Sequence, residues 1–147
     1  MTAGLIVVVV VVGVSSAAGL TWRRRDGALR APRAPAAAGQ AVAVTGPAVT
    51  GPQLGAPLGS KATLVQFSTA FCAPCRATRR ILAEVAGMID GVAHVEIDAE
   101  SRMDLVRSLD VRRTPTVFVL GPDGHIARRA SGQPTKADVI AAIGEVT

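Results

Sequence analysis

The sequence predicts an α/β fold, in which a central sheet of mixed parallel and antiparallel strands is flanked by helices and preceded by one N-terminal transmembrane helix. Three observations support this. Short apolar, β-branched runs alternate with segments of helical periodicity from residue 63 onward. The only two cysteines of the chain follow the first of these runs, and a long uncharged tract occupies the N-terminus. The expected element order from residue 63 is therefore β-α-β-α-β-β-α.

The N-terminal tract from Ala3 to Trp22 carries no charge, and about 20 apolar residues suffice to cross a bilayer as a helix. Trp22 is expected at the headgroups, and Arg23 to Arg25 are expected to stop transfer. A cleaved signal peptide is the alternative, although no Lys or Arg precedes the tract. We predict residues 1–22 to be a transmembrane helix or signal anchor of a single-pass protein. The positive-inside rule then places the rest of the chain in the cytoplasm, with an extracytoplasmic location as the alternative.

Residues 23–53 are rich in Ala, Pro and Gly and are predicted to be a linker, because this composition buries too little apolar surface to order itself. The formal net charge of +5 is concentrated in this part of the chain. Five arginines accompany one aspartate before residue 40, whereas 11 basic and 10 acidic residues follow. Excess charge beside an apolar tract is typical of a juxtamembrane segment, and aromatic residues are scarce, which argues against nucleic acid as a partner. Residues 54–147 form the predicted folded domain.

The first strand of the domain is predicted within Leu64 to Phe67, and it leads into Cys72 and Cys75 at the start of a helix. Pro74 is tolerated there because the missing N–H of a first-turn proline has no helical partner in any case. Apolar residues then recur at helical spacing and are expected to face the sheet: Ala77, Ile81, Val85 and Met88.

The second strand is predicted around Ala93 to Ile97, which completes a β-α-β unit whose two strands run parallel. A short helix follows. The continuous apolar run Thr116 to Leu120 predicts a buried strand, and the turn at Gly121 to Gly124 predicts a hairpin with Ile126 to Ser131 as its second arm. The last helix is expected to start at Thr135.

The C-x-x-C spacing of Cys72 and Cys75 places a thiol at a helix N-terminus, where backbone N–H groups and the helix dipole favour the thiolate. Because the thiolate is the form that attacks disulfides, we hypothesise thiol-disulfide chemistry centred on Cys72. Half of a zinc site is the alternative, but His94 and His125 are the only further ligands besides carboxylates, and neither has motif spacing. Both histidines are expected to be exposed.

Four features occur in one order along the chain: the C-x-x-C pair after a strand, Ile97-Asp98 closing the next strand, Thr114-Pro115 before a third, and Gly132 ahead of the last helix. This combination resembles the thioredoxin superfamily over about residues 54 to 147, and in particular its membrane-tethered bacterial members. The resemblance implies a thioredoxin-like fold and a thiol-disulfide oxidoreductase without cofactor or metal. Its partners would be protein thiols or disulfides and an electron donor or acceptor of unknown identity.

The resemblance also implies roles for individual residues. Cys72 would be the nucleophile and Cys75 the resolving thiol, which attacks the mixed disulfide from inside the first helical turn. Pro115 would be a cis-proline whose loop receives the substrate backbone. The residues expected to bind substrate are Phe71, Ala73, Pro74, Thr114 and Pro115.

Arginines flank both the helix start and the predicted cis-proline loop. They are Arg76, Arg79, Arg112 and Arg113. If some converge around Cys72 they lower the pKa of its thiol, and Arg76 and Arg113 are the residues to which we assign this tuning. Ordinary solvated arginines are the alternative.

The chain also departs from the family pattern. Phe71 stands in place of a tryptophan and Ala73 in place of a glycine. Gln66 occupies the position of a buried acid that is thought to take the proton of the resolving cysteine. Because glutamine cannot titrate, Cys75 would need water or the substrate as its base. From a different class, a non-enzymatic binding or scaffold module with a vestigial site is the alternative function, and retention of both cysteines with Pro115 argues against it.

Overall fold

The computed structural model describes residues 10–19, 21, 29 and 48–147. Residues 10–19 are helical and exposed. Among these described parts of the chain, no helix combines the length and the apolar character that crossing a membrane requires. The rest of the predicted span and most of the predicted linker lie outside the described residues, so the membrane anchor stays a prediction.

The elements of the domain follow each other in the predicted order. The helices are α1 (Gly51–Leu54), α2 (Ala73–Met88), α3 (Met103–Ser108) and α4 (Lys136–Gly144). The strands are β1 (Ala62–Ser68), β2 (Val92–Asp98), β3 (Thr116–Leu120) and β4 (Ile126–Ser131). From β1 onward this is the β-α-β-α-β-β-α order that the sequence predicts.

The four strands form one sheet in the order β2-β1-β3-β4. β1 pairs parallel with β2 and antiparallel with β3, and β3 pairs antiparallel with β4, so the mixed sheet is confirmed. The register of the parallel pair places Gln66 beside Glu96, and Ser68 beside Asp98. These polar side chains therefore gather at the end of β1 that leads to the cysteines.

Helices cover both faces of the sheet. Successive residues of a strand point to opposite faces, so Val65 and Phe67 belong to the core beneath α1 and α3, whereas Leu64 belongs to the core beneath α2 and α4. All seven residues of β1 are buried, because this strand lies between β2 and β3 with helices on either side. Gln66 shares the face of Leu64 and thus lies under the start of α2.

The inward face of α2 differs from the prediction. Its buried residues are Cys75, Thr78, Leu82 and Val85, so of the predicted set only Val85 is fully buried. Met88 is 60% exposed. The periodicity of the apolar residues fixes the period of a helix but not its rotation about its own axis. The rotation follows from Cys75, whose buried position at the first turn carries Thr78 and Leu82 inward.

The residues just ahead of the predicted domain boundary at residue 54 already pack on the domain. Val49 and Leu54 are buried in the core beneath α1 and α3. The Val49 amide donates to the carbonyl oxygen of Gly124 at 2.9 Å. Gly124 has a φ of 80°, and a Cβ at this position would lie 2.3 Å from the Val49 carbonyl oxygen. A glycine in the hairpin turn is therefore required for this attachment.

Candidate active site

Cys72 and Cys75 form a disulfide at the N-terminus of α2. Cys72 is the N-cap residue, and its Sγ accepts a hydrogen bond from the Cys75 backbone N–H at 3.1 Å. Cys75 is only 1% exposed, whereas Cys72 is half-buried. An incoming thiolate therefore reaches Cys72 more readily than Cys75.

The local sequence explains why the helix starts at this point. The apolar run of β1 ends at Ser68, and a turn follows in which the Cys72 amide donates to the Thr69 carbonyl oxygen at 3.3 Å. Pro74 lies in the first helical turn, where it costs no backbone hydrogen bond. The Arg76 amide then closes the first turn on the Cys72 carbonyl oxygen at 3.4 Å.

The loop before β3 lies close to the turn that precedes the cysteines. The Thr114–Pro115 peptide bond is cis, and Pro115 is buried. The hydroxyls of Thr69 and Thr114 are 3.3 Å apart and share a hydrogen bond. Sequence reasoning did not single out Thr69, because nothing in the sequence pairs two threonines that are 45 residues apart. The Pro115 carbonyl oxygen accepts from the Gly132 amide at 2.8 Å, so Gly132 holds the far side of this loop.

The predicted substrate-binding residues next to Cys72 are exposed. Phe71 is 100% exposed, and Ala73 and Pro74 are exposed as well, while Thr114 is half-buried. A large aromatic ring thus stands in solvent beside the disulfide, where it is available to a partner surface.

Gln66 is fully buried directly below the disulfide-bearing turn. Its Nε2 donates to the carbonyl oxygen of Cys75 at 2.9 Å. Its Oε1 is buried and has no hydrogen-bond partner among the described residues. A neutral amide therefore ties β1 to the first turn of α2.

A cleft of about 440 Å³ opens beside the disulfide, on the β2 side. It is lined by residues from the ends of β1 and β2 and from the first turns of α2: Ser68, Thr69, Ala70, Cys72, Cys75, Arg76, Arg79, Glu96 and Asp98. Neither Thr114 nor Pro115 lines it. The Thr114–Pro115 loop therefore lies outside the cleft and meets the turn before Cys72 through the Thr69–Thr114 contact.

Glu96 is the centre of a polar network in the cleft. Its Oε1 accepts hydrogen bonds from the Ser68 hydroxyl and from Arg79 NH2, both at 2.6 Å, and its Oε2 lies 2.6 Å from Arg79 Nε. Burial alone would raise the pKa of Glu96, but the hydrogen bonds from Arg79 and Ser68 outweigh it and lower the pKa. Glu96 is therefore held as a carboxylate, and its charge is matched by Arg79.

His94 lies on the face of β2 that is covered by α2, two residues before Glu96. The expectation that both histidines are exposed is wrong, since His94 and His125 are half-buried. The Nε2 atom of His94 is buried and has no hydrogen-bond partner among the described residues. Burial lowers the pKa of His94, with Arg79 acting in the same direction and the Glu96 carboxylate opposing it. The helix that covers this face of β2 was predicted, but how far it shields His94 was not.

The structure brings two of the four candidate arginines to the cysteines. Arg76 and Arg79 line the cleft with Cys72 and Cys75. Arg112 pairs with Asp110 at 3.0 Å, and Arg113 donates to the Ser131 carbonyl oxygen at 2.9 Å. Because disulfide-bonded cysteines do not titrate, the effect of any arginine on the pKa of Cys72 stays a prediction.

A family model described as Thioredoxin matches residues 56–145. The chain belongs to the thioredoxin family. The matched range contains every strand of the sheet, both cysteines and the Thr114–Pro115 loop. The thioredoxin-like fold that the sequence predicts is thus confirmed.

Relatives within the thioredoxin family match parts of the chain. Thioredoxin H4-1 of Oryza sativa subsp. japonica is 37% identical over 60 residues, which cover 41% of this chain and 46% of that protein. Thioredoxin-2 of Pyricularia oryzae is 34% identical over 65 residues, which cover 44% of this chain and 37% of that protein. The chain thus spans about half or less of the length of these relatives.

Solved thioredoxin structures have the same fold. A crystal structure of chloroplastic thioredoxin z superposes with a TM-score of 0.57 at 26% identity, covering 67% of this chain and 90% of that one. A mutant thioredoxin from Halobacterium salinarum NRC-1 gives a TM-score of 0.55 at 22% identity, covering 60% of this chain and 76% of that one. The sheet and the helices around the cysteines are therefore those of a thioredoxin.

Proposed function

We propose that this protein is a thiol-disulfide oxidoreductase that exchanges disulfides with protein substrates through Cys72 and Cys75. One observation carries the proposal: in a thioredoxin-family domain, two cysteines form a disulfide at a helix N-terminus, one half-buried and the other 1% exposed. A disulfide that served stability alone would gain little from closing so short a loop.

The chemistry follows from this asymmetry. In the reduced protein, the Cys72 thiolate attacks a sulfur of the substrate disulfide, and a mixed disulfide forms as the other substrate sulfur leaves as a thiolate. The Cys75 thiolate then attacks Cys72 Sγ, which re-forms the Cys72–Cys75 disulfide and releases the second substrate thiolate. The Cys75 backbone N–H and the positive end of the α2 dipole stabilise the charge on Cys72.

The proton of Cys75 has no acceptor in Gln66, because an amide does not titrate. Water or the departing substrate thiolate therefore takes this proton in the resolving step. We propose that the substrate backbone lies against the Thr114–Pro115 loop, with Phe71, Ala73 and Pro74 contacting its side chains. Phe71, Ala73 and Pro74 are exposed beside Cys72 in the sequence, and the half-buried Thr114 contacts Thr69 in the turn before Cys72.

Insulin reduction by dithiothreitol tests the activity, with the full chain as catalyst. We expect the protein to accelerate the reaction and Cys72→Ser to abolish the acceleration. Cys75→Ser should accumulate a mixed disulfide between Cys72 and the substrate, visible by mass spectrometry without reductant. Absence of both acceleration and a trapped species would contradict the proposal and favour the scaffold alternative.

We further propose that residues 1–22 anchor the protein in the membrane with the thioredoxin domain on the cytoplasmic side. The uncharged tract and the arginines that follow it support this proposal. Reporter fusions at the C-terminus test the orientation. Activity of a periplasmic-type reporter, together with silence of a cytoplasmic one, would reverse the proposed orientation and favour the extracytoplasmic alternative.

A further inference from the structure

The cleft on the β2 side of the disulfide is not used by the mechanism above. Protein substrates are assigned to the Thr114–Pro115 loop, which lies on the β3 side and does not line the cleft. The cleft nevertheless reaches both sulfur-bearing residues. At about 440 Å³ it falls in the range of volumes that small molecules occupy in proteins.

Four charged side chains line this cleft, of which two form an ion pair with each other and two have no charged partner among the described residues. Glu96 and Arg79 satisfy each other through two contacts of 2.6 Å. The guanidinium of Arg76, in contrast, makes no hydrogen bond or ion pair with any described residue. The Asp98 carboxylate accepts only the Glu100 backbone N–H at 3.0 Å and has no cationic partner in the described part of the chain. Among the described residues, the cleft thus has one cationic side chain on α2 and one carboxylate at the end of β2 that are not paired with an opposite charge.

We infer that this cleft binds a low-molecular-weight thiol that carries both a carboxylate and an ammonium group, and that this thiol reduces the Cys72–Cys75 disulfide. The inference rests on the proposed thiol-disulfide exchange and supplies its electron donor. The ligand carboxylate would pair with Arg76 and its ammonium group with Asp98. A purely anionic thiol would gain from Arg76 but would be repelled by Asp98, and a purely cationic one would meet the reverse, so a ligand with both charges fits best.

The reduction consumes two molecules of the small thiol. The first thiolate attacks Cys72 Sγ, the Cys72–Cys75 bond breaks, and Cys75 leaves as a thiolate that takes up a proton from water. The second thiolate attacks the sulfur of the first ligand in the mixed disulfide. This step releases Cys72 as a thiolate and a symmetrical disulfide of the small thiol. Two electrons pass from the two small thiols to the protein disulfide.

Four thiols of different charge test the inference by their second-order rates of reduction of the oxidised full chain. They are reduced glutathione, which carries carboxylates and an ammonium group, 3-mercaptopropionate, cysteamine and neutral 2-mercaptoethanol. Protein thiols are alkylated at timed intervals and counted by mass spectrometry. Dividing each rate by the 2-mercaptoethanol rate of the same variant removes any general change in the reactivity of Cys72.

Arg76→Gln should lower the normalised rates with glutathione and with 3-mercaptopropionate by about two- to fivefold, the size expected for one exposed charge pair. Asp98→Asn should lower the normalised rates with glutathione and cysteamine by about the same factor. Arg80→Gln is the matched control, since Arg80 is exposed on the same helix and does not line the cleft. It should leave all normalised rates unchanged.

Normalised glutathione rates that stay unchanged in both Arg76→Gln and Asp98→Asn would overturn the inference. An equal change in the undivided rates with all four thiols would also overturn it. So would a loss of normalised glutathione rate in Arg80→Gln as large as in Arg76→Gln. The insulin assay distinguishes failure of the small-thiol site from failure of the proposed thiol-disulfide exchange. Insulin reduction by dithiothreitol with no charge-dependent thiol selectivity would overturn only the small-thiol site, whereas a disulfide that dithiothreitol cannot reduce would overturn both.

Discussion

The side-chain amide of Gln66 donates to the backbone carbonyl oxygen of Cys75 at 2.9 Å. This bond joins the central strand to the first turn of α2, and it lies in a region where both residues are at most 1% exposed. Cys75 is thus held by a neutral group, so the charge of Gln66 does not change with pH.

Gln66→Glu should introduce a pH-dependent loss of stability. A carboxyl group at this buried site has its pKa raised by desolvation, so the folded state favours the neutral form. The stability of the Gln66→Glu protein is then greatest below the unfolded pKa of about 4.3. As pH rises above that value, the free energy of unfolding falls by about 1.4 kcal/mol per pH unit until the folded pKa is passed. Urea unfolding of the oxidised protein at pH 5, 6, 7 and 8 measures this.

Gln66→Leu is the control for that experiment. It removes the hydrogen bond to Cys75 without adding a titratable group, and should cost about 1–3 kcal/mol at every pH. If the stabilities of the Glu and Leu variants run parallel from pH 5 to pH 8, position 66 is more accessible to water than its burial indicates.

His94 should make the wild-type protein less stable in mild acid. Its pKa is lowered in the folded state by burial, from an ordinary value of 6.5, so the unfolded chain binds the proton more readily. The contribution to stability is fully present above pH 6.5 and declines as pH falls towards the folded pKa. Chemical unfolding between pH 8 and pH 5 should therefore show a free energy of unfolding that decreases on acidification.

His94→Gln should flatten that decrease, whereas His125→Gln, the matched control, should retain it. The range stops at pH 5 because Glu96, with a lowered pKa in the folded state, loses its own contribution only at more acidic pH. An identical acid slope in wild type and His94→Gln would show that His94 is not the group responsible.

The orientation of α2 can be tested by truncating one buried and one exposed residue. Leu82 is fully buried and Met88 is 60% exposed. Leu82→Ala should cost about 2–5 kcal/mol, the usual range for a cavity in a core. Met88→Ala should change stability by less than about 0.5 kcal/mol. Thermal or urea unfolding measures both losses. Comparable losses in the two variants would contradict a helix face that buries Leu82 and exposes Met88.

Phe71→Ala should affect substrate use without affecting stability, because the ring is 100% exposed in the free protein. Burying a phenylalanine contributes about 1.5–3 kcal/mol, so partial burial against a protein substrate predicts a three- to tenfold lower kcat/KM, roughly. The rate with a small linear disulfide, the oxidised form of 2-mercaptoethanol, serves as the reference. A loss that is equal with both substrates would place the effect on the disulfide itself rather than on partner contact.

The order of the elements and the location of the cysteines were predictable from the sequence. The apolar run of β1, the continuous run of β3 and the hairpin turn at Gly121 to Gly124 are local signals, and each element forms where its signal lies. The C-x-x-C pair at the start of a helix also depends only on neighbouring residues. These features follow from side-chain patterns within a few residues of each other.

Contacts between residues that are distant in the sequence could not be predicted without the tertiary structure. The face that α2 buries was predicted incorrectly, because a helical period does not state which rotation the core selects. The hydroxyl contact of Thr69 and Thr114, and the burial of His94, likewise need elements that are distant in the chain. None of these leaves a mark in local composition.

The sequence by itself thus determined the fold class, the cysteine pair at the helix start and the neutral Gln66 beneath it, since these depend on residue identity and short spacings. Only the tertiary structure decided which charges meet at the cysteines. Parallel pairing of β1 and β2 brings Glu96 and Asp98 to the end of β1, and the rotation of α2 points Arg76 and Arg79 into the same cleft. The reason is physical: the position of a charge depends on strand register and helix rotation, which are set by packing over the whole domain.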